Sequence, residues 1–212
     1  MVVMDAGTLL LLFRPNVDCP LDSTTGQPVA QVQERLSYLV KCLEKEKTKI
    51  VIPTPALSEL LVRAGNAGPP LVQQINKLSV FRIVPFDTLA AIETAAMTKA
   101  ALDDGDKRSG IDGPWTKVKY DRQIVAIARV AQATAIYSDD GHIETLAKLA
   151  GLNVIGVAAL PLPPATAQGE FKLEIPPAGT ATEDELTDEE IDKIIASIDD
   201  TEKPAPEAKN AP

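Results

Sequence analysis

Short apolar runs alternate with amphipathic segments along the first 160 residues of the chain. The segments between the runs place apolar residues at helical spacing, as Val32, Leu36, Leu39, Val40 and Leu43 do. Short apolar strands that alternate with helices are typical of a parallel sheet covered on both faces. The sequence therefore predicts an α/β fold, a three-layer α/β/α sandwich with a central parallel sheet. The runs are VVM at 2–4, KIVIPT at 49–54, FRIVPF at 81–86, AIYS at 135–138 and NVIGV at 153–157.

Capping residues indicate where two helices of the first half begin. Pro55 suits the first turn of a helix that Gly65 can end. Asp87 is a good N-cap for a helix over 88–102, directly after the FRIVPF strand. Both helices therefore begin where a predicted strand ends.

The second half repeats this arrangement around a loop. Residues 103–119 are polar and contain glycine, which predicts a loop, and a helix follows over 121–134. Asp139 or Asp140 can cap a last helix over 141–151.

The net charge of −9 belongs to the C-terminal part of the chain. From residue 166 onward there are four lysines and thirteen acidic residues, so residues 1–165 hold 17 basic and 17 acidic residues. We assign residues 1–160 to one domain and 161–212 to a Pro/Ala-rich linker with an acidic tail. A capping box followed by four isoleucines at helical spacing predicts a short amphipathic helix over 187–199. The tail is either a solubilising extension or an internal inhibitor that occupies basic residues needed by a nucleic acid.

The N-terminal residues and the cysteines indicate the cellular compartment of the protein. The first residues, MVVMDAGTLL, have no basic segment before an apolar run, and no segment approaches the roughly 20 apolar residues of a membrane span. Cys19 and Cys42 have neither metal-ligand spacing nor the density of a disulfide framework. We expect a cytoplasmic protein with reduced cysteines and no membrane partner.

Acidic residues follow several of the predicted strands. Asp5 comes directly after VVM, Glu59 lies one turn into the helix after KIVIPT, and the adjacent Asp139 and Asp140 follow AIYS. Asp121 begins the helix before AIYS. Ligands of open parallel sheets bind outside the carboxyl ends of the strands, so we expect these acids to lie on one rim.

A group of carboxylates suits a hard divalent cation such as Mg²⁺ or Mn²⁺. Such a cation would also offset the repulsion between Asp139 and Asp140, which is about 4 kcal/mol at 4 Å for an effective dielectric near 20. Each acid also has a simpler interpretation. Glu59 can be a solvated helix residue, and Asp121, Asp139 or Asp140 can be an ordinary N-cap.

The motifs VVMDAGTLL, VIPTPALSELL, YDRQIVAIARVAQATAIYSDDGHI and LAGLNVIGV together resemble the PIN-domain family over residues 1–160. That family comprises Mg²⁺- or Mn²⁺-dependent ribonucleases, including toxins of toxin–antitoxin pairs of the VapC type. The resemblance implies an endoribonuclease that acts on RNA, an antitoxin protein as partner, and a homodimer. The chain departs from the family pattern at Gly7, where a small polar residue is common, and at Ile143, where an aromatic residue is common.

Carried over by motif, the resemblance assigns the catalytic acids and their helpers. Asp5, Glu59, Asp121 and Asp140 match the family's acids, and Asp139 is a neighbouring metal ligand. Thr8 and Ser138 are supporting residues that orient water or a carboxylate.

Basic residues near the predicted rim are candidates for the phosphate backbone of RNA. His142 is either a surface residue on the first turn of a helix or a residue near the phosphate. Trp115 either anchors a loop or stacks on a base. The basic candidates are Arg14, Lys107, Arg108, Lys117, Lys119 and Arg122.

Two other classes compete with the nuclease. A phosphatase of the haloacid-dehalogenase type also begins with a strand and an Asp, but it needs a second Asp where this chain has Gly7. A non-catalytic module for binding nucleic acid or protein could keep the fold with a weak metal site.

Overall fold

In a computed structural model, which describes residues 1–14 and 17–164, five parallel strands form one sheet. The strands are β1 (Val2–Met4), β2 (Ile50–Pro53), β3 (Phe81–Val84), β4 (Ile136–Tyr137) and β5 (Val154–Ile155). Their order across the sheet is β3-β2-β1-β4-β5, and every neighbouring pair is parallel. The three central strands are fully buried because helices flank the sheet, which confirms the predicted α/β sandwich.

Seven helices connect the strands within the described residues. The predicted N-cap Asp87 is confirmed, since its carboxylate accepts a hydrogen bond of 2.9 Å from the amide of Ala90. Two short 3₁₀ turns lie at Gly65–Ala67 and Val157–Ala159. The helices are α1 (Ala6–Phe13), α2 (Val32–Lys45), α3 (Thr54–Ala64), α4 (Gly68–Lys77), α5 (Thr88–Asp103), α6 (Trp115–Val130) and α7 (Gly141–Leu149).

The order of the strands defines the place where a site can form. The chain leaves β1 toward β2 on one side, and β4 returns to pair with β1 on the other side. The connections therefore diverge beyond the carboxyl ends of β1 and β4, as they do at the topological switch point of other open α/β sheets. Residues that follow these two strands line the resulting crevice.

Helix α6 begins six residues earlier than the sequence pattern predicted. Residues 103–119 are not all loop, because Pro114 caps a helix that starts at Trp115. Among the six residues of α6 that the sequence pattern missed, 115–120, Val118 is the one that is buried. A single buried position gives no helical spacing, so an apolar pattern could not reveal this part of the helix. The prediction that Asp121 begins the helix is therefore wrong.

Helix α4 had no counterpart in the sequence prediction. Its buried residues are few, with Leu71 and Ile75 one turn apart, and Gly68-Pro69-Pro70 at its start has the composition of a turn. No described helix is long and apolar enough to cross a membrane. The predicted helix at 187–199 and all of the chain beyond residue 164 lie outside the described residues.

Arg122 is a structural residue of the loop that precedes α6. Only 1% of its surface is exposed, and its guanidinium donates to the carbonyl of Lys107 at 2.9 Å and to the hydroxyl of Ser109 at 3.1 Å. A third hydrogen bond of 3.1 Å reaches the hydroxyl of Thr98 on α5. A phosphate cannot reach this guanidinium, so Arg122 does not serve the RNA contact that the sequence suggested.

We expect Arg122→Met to destabilise the protein by about 1–3 kcal/mol, because it leaves the loop carbonyl and two hydroxyl groups without their donor. Urea unfolding followed by circular dichroism measures the change. Arg129→Met is the matched control, since Arg129 forms an exposed ion pair of 2.6 Å with Glu93, and such pairs contribute less than about 1 kcal/mol. Equal effects of the two substitutions would contradict the structural role of Arg122.

Candidate metal centre

Asp5 joins the end of β1 to the start of α1. Its Oδ1 atom accepts a hydrogen bond of 2.7 Å from the amide of Thr8, which makes it the N-cap of α1. Its Oδ2 atom accepts a hydrogen bond from the hydroxyl of Ser138, the residue that follows β4. Since β1 and β4 are neighbours in the sheet, this buried hydrogen bond joins the residues that directly follow the two strands. Burial raises the pKa of Asp5 despite these hydrogen bonds.

Asp140 occupies the corresponding position after β4. Its Oδ1 atom accepts from the amide of His142 at 2.7 Å and caps α7, and its own amide donates to the Ser138 hydroxyl at 3.0 Å. Ser138 therefore connects Asp5 and Asp140 through one hydroxyl group. Thr8 supports the same arrangement, since its hydroxyl donates to the carbonyl of Tyr137 at 3.0 Å.

The side chain of Lys117 contacts Asp140, and the side chain of His142 contacts Asp121. The Lys117 ammonium lies 2.9 Å from Oδ2 of Asp140, and Nδ1 of His142 lies 3.3 Å from Oδ2 of Asp121. One donor atom each from Asp121, Asp140 and His142 lie within 4.8 Å of one another. The carboxylates of Asp121 and Asp140 and the imidazole of His142 thus lie close together.

The pKa shifts show that four acids lie within electrostatic reach of one another. Burial raises the pKa of Asp121 to about 8, and the charges of Asp140, Glu59 and Asp5 add to the effect. Desolvation and then the charge of Asp5 raise the pKa of Glu59, although this residue stays exposed at the mouth of the site. Full ionisation of the four acids would therefore place more negative charge in the site than its own lysine offsets.

Asp140 is the exception among the acids. Burial acts to raise its pKa, but the hydrogen bond and charge of Lys117 and the amide of His142 outweigh burial and hold the pKa below its usual range. Asp140 is thus the acid that stays ionised most readily. Lys117 keeps its proton for the same reason: burial acts to lower its pKa, and the hydrogen bond and charge of Asp140 raise it above its usual value.

Asp139 is directed away from this group. Its Oδ1 atom accepts a hydrogen bond of 3.0 Å from the amide of Val157, at the 3₁₀ turn after β5. The same oxygen would lie 2.7 Å from a Cβ atom at Gly156, so the carboxylate packs closely against that backbone. Asp139 is adjacent to Asp140 in sequence, but the hydrogen bond of its Oδ1 atom turns it toward Val157.

The basic residues named from the sequence are spread over several surfaces. Lys117 contacts an acid of the cluster, since its ammonium pairs with Asp140. Lys107 lies over the ring of Trp115, 5.0 Å from its centroid, and Arg122 lies 5.5 Å from the same centroid on α6. Trp115 thus anchors the loop to α6. Arg14 donates to the carbonyl of Arg63, and Arg108 and Lys119 are exposed.

Sequence reasoning missed the ionic role of Lys117 and the position of His142. Lys117 precedes Asp121 by one helical turn, so both lie on one face of α6. This relation is visible in the sequence once the helix is known to begin at Trp115. The signal for His142 was its place two residues after Asp140, within the turn that the Asp140 cap forms.

The donor set fits a divalent cation. Carboxylate oxygens suit Mg²⁺ and Mn²⁺, and an excess of negative charge on converging acids is what a bound cation would neutralise. By donor chemistry and charge, Asp5, Glu59, Asp121 and Asp140 are residues that could hold it.

Comparison by sequence finds no matching family model and no matching curated protein. Two solved structures are similar in fold. A chain of VapBC2 from Rickettsia felis, solved bound to a DNA fragment from its promoter, has a TM-score of 0.48 and 15% identity, covering 74% of this chain and 98% of that one. A chain of DNA-bound VapBC from Salmonella typhimurium has a TM-score of 0.45 and 14% identity, covering 74% and 97%.

The raised pKa of Asp121 predicts that metal-free protein loses stability as the pH rises. The unfolded chain releases this proton near its ordinary pKa of 3.8 and the folded chain releases it at about 8. Between these values the folded state binds more protons, so the free energy of unfolding falls with pH and levels off above about 8. Asp121→Asn removes this contribution.

We therefore expect the stability advantage of Asp121→Asn over the native chain to grow from pH 5 to pH 8 and to stay constant above. Urea unfolding in the presence of a chelator measures it. Asp112→Asn is the control, because Asp112 is an exposed acid of the preceding loop. A difference between Asp121→Asn and the native chain that does not change with pH would contradict the prediction.

Proposed function

We propose that this protein is a metal-dependent endoribonuclease of the PIN type, which hydrolyses RNA phosphodiester bonds with Mg²⁺ or Mn²⁺ at Asp5, Glu59, Asp121 and Asp140. One observation carries the proposal. Carboxylates from four separate segments lie within electrostatic reach of one another at the topological switch point of the sheet. The motifs that resemble the PIN family include the same four acids.

Different side chains would have different roles around the bound metal. A bound cation would supply charge stabilisation for the phosphate and a more acidic water molecule. Ser138 holds Asp5 and the start of α7 together, so that both acids keep a fixed orientation before substrate arrives. Glu59 is exposed on α3, and desolvation and the charge of Asp5 raise its pKa.

Substrate binding belongs to the basic residues that remain accessible. Lys117 is about half exposed at the acid cluster, so its ammonium can turn from Asp140 to a phosphate oxygen of the bound strand. Lys107, Arg108 and Lys119 are exposed in the loop before α6 and on α6 itself, and Arg14 follows α1. Contacts to phosphates supply most of the affinity of sequence-independent binding, which suits an RNA strand running past the cluster.

Two protein partners complete the proposal. The resemblance implies an antitoxin that holds the nuclease inactive, and it implies a homodimer. An apolar surface suits the second role: α5 buries only Ala90 and Ala101 and leaves Leu89 60% and Ile92 62% exposed. An uncharged strip of one helix can pair with its own copy about a two-fold axis.

We expect Asp5→Asn and Asp140→Asn each to reduce RNA cleavage by about 100-fold or more, because each removes a charged ligand of the proposed metal ion that would stabilise the reacting phosphate. Asn retains the cap oxygen in both positions, so the fold should persist. The measurement is cleavage of a fluorescent single-stranded RNA in Mn²⁺ or Mg²⁺, with a chelator as blank. Asp139→Asn is the matched control and should change the rate by less than about threefold, since its carboxylate is turned to Val157.

Wild-type cleavage in the Asp5→Asn preparation would mean that another nuclease is responsible. If the native chain binds RNA without cleaving it in either metal, the protein is a binding module instead.

For the assembly we expect a dimer at micromolar concentration in analytical ultracentrifugation, and a monomer for Ile92→Glu, since a charge in an apolar interface has no partner. Leu149→Glu is the control, because Leu149 is 69% exposed on α7. A native chain that sediments as a monomer would remove the homodimer from the proposal. Dissociation by Leu149→Glu would move the interface to α7.

A further inference from the structure

His142 is the single histidine of the chain, and the fold places it beside two of the four acids. Its Nδ1 atom lies 3.3 Å from Oδ2 of Asp121, and its amide holds Oδ1 of Asp140 at 2.7 Å. This Nδ1 contact is longer than the usual hydrogen bond of about 2.9–3.0 Å. The imidazole nitrogen and the two carboxylates are therefore close without being paired tightly.

The loop before α6 fixes the orientation of the ring. Gly113 has φ +134°, a conformation that favours glycine, and a Cβ atom there would lie 3.2 Å from Cε1 and 3.8 Å from Nε2 of His142. The Cε1–Nε2 edge of the ring thus packs under Gly113. The remaining nitrogen, Nδ1, faces Asp121.

Building on the proposed function, we infer that His142 is an additional metal ligand through Nδ1, and that it makes the site prefer Mn²⁺ over Mg²⁺. The donor atoms of Asp121, Asp140 and His142 lie within 4.8 Å of one another. Ligand atoms at about 2.0–2.2 Å from a common ion lie at most about 4.4 Å apart, so small side-chain movements would bring these atoms to one ion. A site made of carboxylates alone would have no nitrogen ligand to favour Mn²⁺ over Mg²⁺.

The preference follows from ligand chemistry. Carboxylate and water oxygens suit both Mg²⁺ and Mn²⁺, but Mg²⁺ demands near-ideal octahedral geometry and keeps several waters, whereas Mn²⁺ is the first member of the transition-metal series whose affinity for nitrogen, oxygen and sulfur sites rises toward Cu²⁺. Substituting the imidazole should therefore weaken binding of Mn²⁺ and leave binding of Mg²⁺ nearly unchanged. Co²⁺ offers a spectroscopic probe of the same nitrogen, because its visible absorption depends on the ligands.

The test compares the native chain with His142→Phe and His142→Gln. Phe fills the space under Gly113 without a nitrogen ligand, and Gln is the second variant in case Phe disturbs the packing. Isothermal titration calorimetry gives the affinities of Mn²⁺ and Mg²⁺, and circular dichroism without metal checks folding. We expect Mn²⁺ affinity to fall about tenfold or more and Mg²⁺ affinity to change less than about threefold, with altered Co²⁺ absorption.

Glu144→Gln is the matched control, since Glu144 is an exposed acid on the same turn of α7 and its loss should leave both affinities unchanged. An unchanged ratio of Mn²⁺ to Mg²⁺ affinity in both His142 variants would overturn the inference and leave the proposed nuclease intact. A native chain that binds neither ion would overturn the proposed function and this inference together.

Discussion

Repulsion among acids that face one crevice is the constraint on which the rest of the site depends. Burial and mutual charge raise the pKa of Asp121 to about 8, so ionising the cluster opposes folding. The fold offsets this cost by giving the carboxylates local structural roles. Asp5 and Asp140 each hold the start of a helix with one oxygen, and both are tied to Ser138. The carboxylates of Asp5 and Asp140 thus also accept hydrogen bonds from backbone amides that a helix start leaves unpaired.

The neighbouring Asp139 and Asp140 show how an extended backbone separates two like charges. Successive side chains of an extended segment point to opposite sides, so one carboxylate turns into the crevice and the other turns to β5. Asp140 then pairs with Lys117, and Asp139 accepts from the amide of Val157. The sequence suggested a shared cation as the solution to this repulsion. The structure instead gives each aspartate a separate partner.

The sequence predicted the parts of the fold whose pattern depends on local residues. The central strands, the helices that follow them and the Asp87 cap all carry local signals of apolar runs and capping residues, and the structure confirms them. The first six residues of α6 were missed because Val118 is the one buried residue among them, and a single apolar position gives no helical pattern. The same error hid Lys117, whose relation to Asp121 appears only on a helix.

What the sequence could not supply is the direction of each side chain. Arg122 and Lys117 are both basic residues of α6, yet one guanidinium is buried against a loop while the other side chain is half exposed at the acids. Lys117 reaches from α6 to the start of α7, so its ammonium links two elements across the crevice. A lysine carries its charge on a flexible stem, and it can give up Asp140 to another cation without moving the helix. Lys117 therefore offsets part of the negative charge of the site through a side chain that can be displaced, while the buried Arg122 keeps the surrounding loop in place.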